Sequence, residues 1–214
     1  MNELARRRHP RLRVGMEFDR EYAVLAGFCP SATVMSDDGP LPLEWLSEGD
    51  RVLTRDSGYQ PVLWIERTRM TRRMLTAVPE LAPVQIAPGT FGATQPDRTL
   101  NVSPSQLVFV ERDPTVRGGQ GVLLPANELG SAAAAGSHPR PATYVSILLP
   151  GHHLMQINGV WMGSLFLADL AADLLPSDPM RAALDDEVMQ PAAPIISRQD
   201  AARFLVSWRM RRSA

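Results

Sequence analysis

"SEGDRVLTRDSGYQPVLWIER", Ser47 to Arg67, is the stretch on which the fold turns. The pair Gly49-Asp50 leads into the β-prone run "RVLTR", and Asp50 reads as a turn residue. "DSGYQ" turns again, and "PVLWIER" follows with Val62 and Trp64 spaced for a half-buried strand. Upstream, "TVM" runs into the "DDGP" turn, and "PLEWLSEGD" offers a single helical turn. Downstream come "PVQIA", "TLNVS", "LVFVER", "GVLLP", "TYVSILL", "HLMQI" and "VWMGS". Asn158-Gly159 separates the last two, the strongest short signal for a type I′ hairpin. About nine short strands with turns between them imply a mainly β, closed or folded-over antiparallel sheet.

Composition bounds the rest. The 214 residues suit one domain with appendages, and 44% apolar content supplies a real core. A net charge of −1 gives no general field for nucleic acid or an acidic partner. All 22 basic residues are arginine, which excludes lysine Schiff-base and general-base chemistry. A single cysteine, Cys29, excludes an internal disulfide and any cysteine-rich metal site. No stretch reaches 18 apolar residues, so no membrane span is expected. No secretory signal is visible either, which leaves the cytoplasm as the default location.

The chain divides into an arginine-rich lead-in at 1–26, a β domain at 27–168 and a helical C-terminal extension at 169–214. "RRRHPRLR" reads as a solvated tail with no aromatic residues for base stacking, and no nucleic acid is expected to bind. "RGGQG" and "GSAAAAGSHPRP" read as flexible surface loops. In the extension, "LFLADLAADLL", "DPMRAALDDEVM" and "SRQDAARFLVSWRMRR" carry helical spacing. Ser197 is a plausible N-cap with Asp200 completing a loose capping box, and Ala201, Phe204, Leu205 and Trp208 share one face.

Several stretches together resemble the Hint domain of hedgehog C-terminal domains and inteins, in its bacterial, alphaproteobacterial type. "SATVMSDDGPLPLEWLSEGDRVLTRDSGYQPVLWI" is similar to the family opening, and "APVQIAPGTFG" with "LNVSPSQLVFV" to its second block. "VLLPANEL", "YVSILLPGHHLMQINGVWMGSLF" and "PAAPIISRQDAARFL" are similar to later blocks, in the same order. The resemblance implies a Hint-type fold and cysteine-dependent self-processing. The cysteine that opens such a domain attacks the preceding carbonyl, converting a peptide bond to a thioester by an N–S acyl shift. That reaction needs an activated thiol, a polarised amide and a proton donor for the leaving nitrogen.

By the same resemblance, Cys29 is the candidate nucleophile, although an ungapped match places Gly27 or Phe28 at that station. Ser103 matches the family Thr/Ser, Gln106 stands where a histidine polarises the scissile amide, and Ser146 stands at a further histidine. His152 matches a family histidine, with His153 beside it on an expected strand, so that the two rings face opposite ways. The sequence shows no His-Asn ending for splicing, and cleavage before Cys29 would release a 28-residue leader. The expectation is therefore a degenerate domain acting as a structural or interaction module, with a possible protein partner. The alternative is an active domain that cleaves before Cys29. No cofactor and no metal are expected.

Overall fold

A computed structural model of the chain describes residues 26–113, 120–129, 131–132, 140–166 and 189–212. The strands in chain order are β1 (Thr33–Ser36), β2 (Gly39–Pro42), β3 (Arg51–Thr54), β4 (Gly58–Pro61), β5 (Trp64–Met70), β6 (Val84–Ile86) and β7 (Leu100–Val102). They continue as β8 (Leu107–Glu111), β9 (Gly121–Pro125), β10 (Ser131–Ala132), β11 (Ala142–Leu148), β12 (Leu154–Ile157) and β13 (Val160–Gly163). Two α-helices are described, α1 (Arg72–Ala77) and α2 (Arg198–Arg212), with short 3-10 turns at Pro79–Leu81 and Ala126–Glu128.

Eight strands form one antiparallel sheet in the order β2-β1-β3-β12-β13-β8-β9, with β4 on β3. The remainder form a three-stranded sheet, β10-β6-β7, and a long two-stranded ribbon, β11-β5. The molecule is mainly β, as the alternation predicted. Within β3, Val52 and Thr54 are buried while Arg51 is exposed, the period-two pattern of a half-buried strand. The β1–β2 and β3–β4 hairpins are closed by side chains: Ser36 Oγ donates to the Gly39 carbonyl at 2.7 Å and Thr54 Oγ1 to the Gly58 carbonyl at 2.6 Å.

At β12–β13 the hairpin turn forms as expected, with Ile157 opposite Val160 and both turn residues left-handed, Asn158 at φ 47° and Gly159 at φ 78°. The main core gathers Phe28, Val34, Val52, Val102, Val145 and Met155, among others, so that strands from all three sheets share it. Strands β8 and β9 are covered on both faces. Ala201, Leu205 and Trp208 of α2 pack on Val110, Val122 and Leu124, while Trp161 and Ala193 pack on Phe109 and Leu123.

The structure departs from the sequence reading at several points. Leu43–Trp45 is a turn rather than a helical one, with Trp45 N–H donating to the Pro42 carbonyl at 3.0 Å. Helix α1 was not expected; Thr71 caps it by accepting from Met74 N–H. Ser131–Ala132, read as loop, pairs with β6. His152 and His153 lie before β12 rather than on a strand, because Pro150 and Gly151 end the β11 run. Most of "LFLADLAADLL" and "DPMRAALDDEVM", and all of "RRRHPRLR", lie outside the described residues.

Candidate functional site

The segment Ala26–Cys29 enters the domain between β7 and β11. Phe28 bridges Val102 on one side and Val145 on the other, so this short extended piece joins the three-stranded sheet to the two-stranded ribbon. Its side chain is buried in the main core. Phe28 N–H donates to the Val145 carbonyl at 3.0 Å, Val145 N–H returns to the Phe28 carbonyl at 2.8 Å, and Cys29 N–H donates to the Asn101 carbonyl at 2.9 Å.

One residue earlier, side chains take over from backbone. Ser146 Oγ, on β11, donates to the Ala26 carbonyl at 2.6 Å. Gly27 N–H donates to Ser103 Oγ at 3.0 Å, and Ser103 N–H donates back to the Gly27 carbonyl at 2.8 Å. The peptide group between Ala26 and Gly27 is therefore held at its oxygen by one serine and at its nitrogen by another. Gly27 itself lies against β11: a Cβ built there would stand 2.8 Å from the Val145 carbonyl oxygen and 3.0 Å from its carbon. That space admits no side chain.

Cys29 stands two residues further on. It is half-buried and packs against the cluster of Met70, Leu75, Leu81 and Tyr144. Burial pushes its thiol up to about 11, away from the thiolate. Tyr144 is raised as well, by burial first and then by the adjacent Cys29, and its hydroxyl donates to the Leu81 carbonyl at 2.7 Å.

The side chains of Gln106 and His152 make no hydrogen bond to this entry segment. Gln106 Nε2 donates to the Gly163 carbonyl at 2.8 Å and the Leu107 carbonyl at 3.1 Å, which ties β8 to β13. His152 is buried, its ring centroid 4.8 Å from that of Phe166, and Nδ1 accepts from Ala192 N–H at 3.1 Å. Burial first, and then the charge of His153, lowers its pKa to about 4. No hydrogen bond joins it to Cys29. Of the five candidate residues, the structure brings Ser103 and Ser146 together on one peptide group, sets Gln106 and His152 on either side of Gly163, and gives neither a hydrogen bond to Cys29. Among the described residues no group of three or more His, Cys, Asp and Glu side chains could hold a metal ion. None of the described helices is long and apolar enough to cross a membrane.

A family profile described as the Hint domain matches residues 26–169, about two thirds of the chain. The chain belongs to the Hint-domain family. Its solved structural neighbours include the gp41-1 intein, at 13% identity and a TM-score of 0.38, covering 64% of this chain and 97% of the other. A glutathione-linked, splice-inactive variant of the AceL NrdHF class 3 split intein gives 11% identity and a TM-score of 0.41, with coverage of 64% and 97%. The MchDnaB-1 intein gives 13% and 0.38, with coverage of 64% and 98%. Among curated protein sequences nothing matches the chain.

In this Hint domain the serine contacts and the thiol fall on two different peptide groups. The Ser146 hydroxyl donates to the Ala26 carbonyl. The residue that follows that carbonyl is Gly27, which carries no nucleophile. The carbonyl that precedes Cys29 is that of Phe28, and that peptide is held by backbone groups of Val145 and Asn101. Sequence reading missed the contribution of Val145, whose backbone fixes both the register and the empty space at Gly27. The small pair Ala26-Gly27 was the available signal.

Proposed function

We propose that this Hint domain no longer cleaves its own chain and serves as a structural or interaction module. The observation that carries this reading is the offset between the peptide gripped by Ser103 and Ser146, Ala26–Gly27, and the peptide next to the only thiol, Phe28–Cys29. An attack by Cys29 would proceed without a side-chain donor on its own carbonyl. Absence of one oxyanion donor costs about 10²–10³ in rate, and absence of a general acid or base about 10²–10⁴. These losses do not multiply simply. A thiol held near 11 adds to them, since the thiolate is the nucleophile. His152, neutral and bonded to Ala192, forms no hydrogen bond with Cys29.

The test is intact mass over several days, with and without hydroxylamine or a strong thiol, beside Cys29→Ala. The full-length mass is expected to persist in every arm. A Cys29-dependent fragment of residues 1–28 would establish the active alternative instead.

A further inference from the structure

Ahead of α2, the segment Met189–Ile196 is strapped across the β domain. Leu123 N–H donates to the Pro194 carbonyl at 2.9 Å and Ile196 N–H to the Leu123 carbonyl at 3.1 Å, a parallel bridge onto the middle of β9. Met189 packs with Leu148 and Leu165, and Ala193 with Phe109, Leu123 and Leu154. His152 adds a side-chain hold through the bond from Ala192 N–H to its Nδ1.

That bond fixes the protonation of the ring. Nδ1 must be bare to accept, so the neutral ring carries its proton on Nε2. Nε2 is buried without a hydrogen-bond partner among the described residues and abuts Gly163, where a Cβ would stand 2.6 Å away. A second proton turns Nδ1 from acceptor to donor, facing the Ala192 donor. It also places a charge between Phe166 and Gly163, neither of which offers it a polar side chain. Among the described residues no charged side chain belongs to Gly163–Phe166, to Gln106–Leu107 or to Met189–Ile196; His153 is the titratable neighbour.

We propose that His152 is an acid-sensitive latch whose protonation releases the Met189–Ile196 strap from the face of β9. Release uncovers Phe109, Leu123 and Leu154, on which Ala193 now packs. The direction follows from linkage. Burial first and then His153 lower the ring's pKa to about 4 from an ordinary 6.5, and the part of that burial the strap supplies makes docking fully favoured above pH 6.5 and weaker as pH falls toward 4. The largest change in the docking equilibrium across that window is about a few hundred-fold.

Hydrogen exchange of the full chain between pH 7 and 4, corrected for intrinsic rates, reads the latch directly. Protection of 189–196 is expected to fall across the window while β5 and β11 keep theirs. His152→Asn, whose side-chain oxygen can accept in place of Nδ1 but does not titrate, should hold that protection constant. Unchanged protection in the native chain, or an equal acid loss in His152→Asn, overturns the proposal. Should that variant misfold, NMR titration of the native chain decides. The Ala192 amide and the His152 ring must share one midpoint below 6.5, and separate midpoints refute the latch.

Discussion

Ser103 and Gly27 exchange hydrogen bonds in both directions: Gly27 N–H donates to Ser103 Oγ at 3.0 Å, and Ser103 N–H to the Gly27 carbonyl at 2.8 Å. Together with the Ser146 bond to Ala26, this fixes the entry segment at a place where β11 leaves no room for a Cβ. The tight approach is to backbone atoms of Val145, which cannot rotate away as a flexible side chain could. Gly27→Ala is therefore expected to destabilise the fold by about 1–3 kcal/mol, the cost of overpacking a close contact. Urea unfolding measures it. Gly27→Cys, which would put a thiol directly after the gripped peptide, should be at least as destabilised and show no cleavage by intact mass.

The two serines also make a separable prediction. Ser103→Ala leaves the Gly27 N–H without its acceptor, and Ser146→Ala leaves the Ala26 carbonyl without its donor. Each change is expected to cost about 1–3 kcal/mol, the desolvation of an orphaned polar group. Because both serines grip one peptide group, the double variant should lose less than the sum of the singles. A denaturant double-mutant cycle checks this, and strict additivity would show that the serines act independently.

What the sequence made legible and what it did not follow from the range of the interactions. Alternation in Arg51–Arg55 and Pro61–Arg67, and the Asn158-Gly159 turn, are local signals, and the corresponding β3, β5 and β12–β13 elements are present. The short strands β2 and β4 escaped notice because they consist of turn-type residues, "GPLP" and "GYQP", held by pairing partners rather than by propensity. Helix α1 had a usable signal in Thr71, but "RRMLTA" is too short for periodicity to declare itself. The candidate site was legible as a set of residue types and not as an arrangement. That Ser103 and Ser146 meet on Ala26–Gly27 depends on contacts spanning 76 and 120 residues, which no local pattern encodes.

Cys29 should be a slow thiol. With its pKa near 11 rather than 9, the thiolate fraction at pH 8 falls about 100-fold, and alkylation by iodoacetamide should slow accordingly relative to the unfolded chain. The same shift sets an alkaline limit on stability. A pKa raised on folding contributes stability that is complete below about 9 and is lost as pH rises through 11, and Tyr144 shifts in the same direction. Alkylation rates with and without denaturant, and melting temperatures from pH 8 to 11, test both statements. Native alkylation as fast as in denaturant would mean that the thiol is not held in the Met70, Leu75, Leu81 and Tyr144 cluster.

Helix α2 should owe its place to Trp208. The indole is buried with Ala201 and Leu205 against Val110, Val122 and Leu124, and its ring lies 6.0 Å from that of Phe91. At the other end, Ser197 Oγ accepts from Asp200 N–H at 3.2 Å and donates to the Asp200 carboxylate at 2.7 Å, closing the first turn. Removing the cap with Ser197→Ala is expected to cost about 1 kcal/mol. Removing the indole with Trp208→Ala should cost about 3–5 kcal/mol locally. A helix of 15 residues is marginal by itself in water, so without Trp208 it should leave β8 and β9 before the sheet unfolds. Far-UV circular dichroism should then show reduced helicity at neutral pH, and the denaturant m-value should fall because less surface remains to be exposed in the main transition. An unchanged m-value with a lowered midpoint would show instead that α2 and the sheet unfold as one unit.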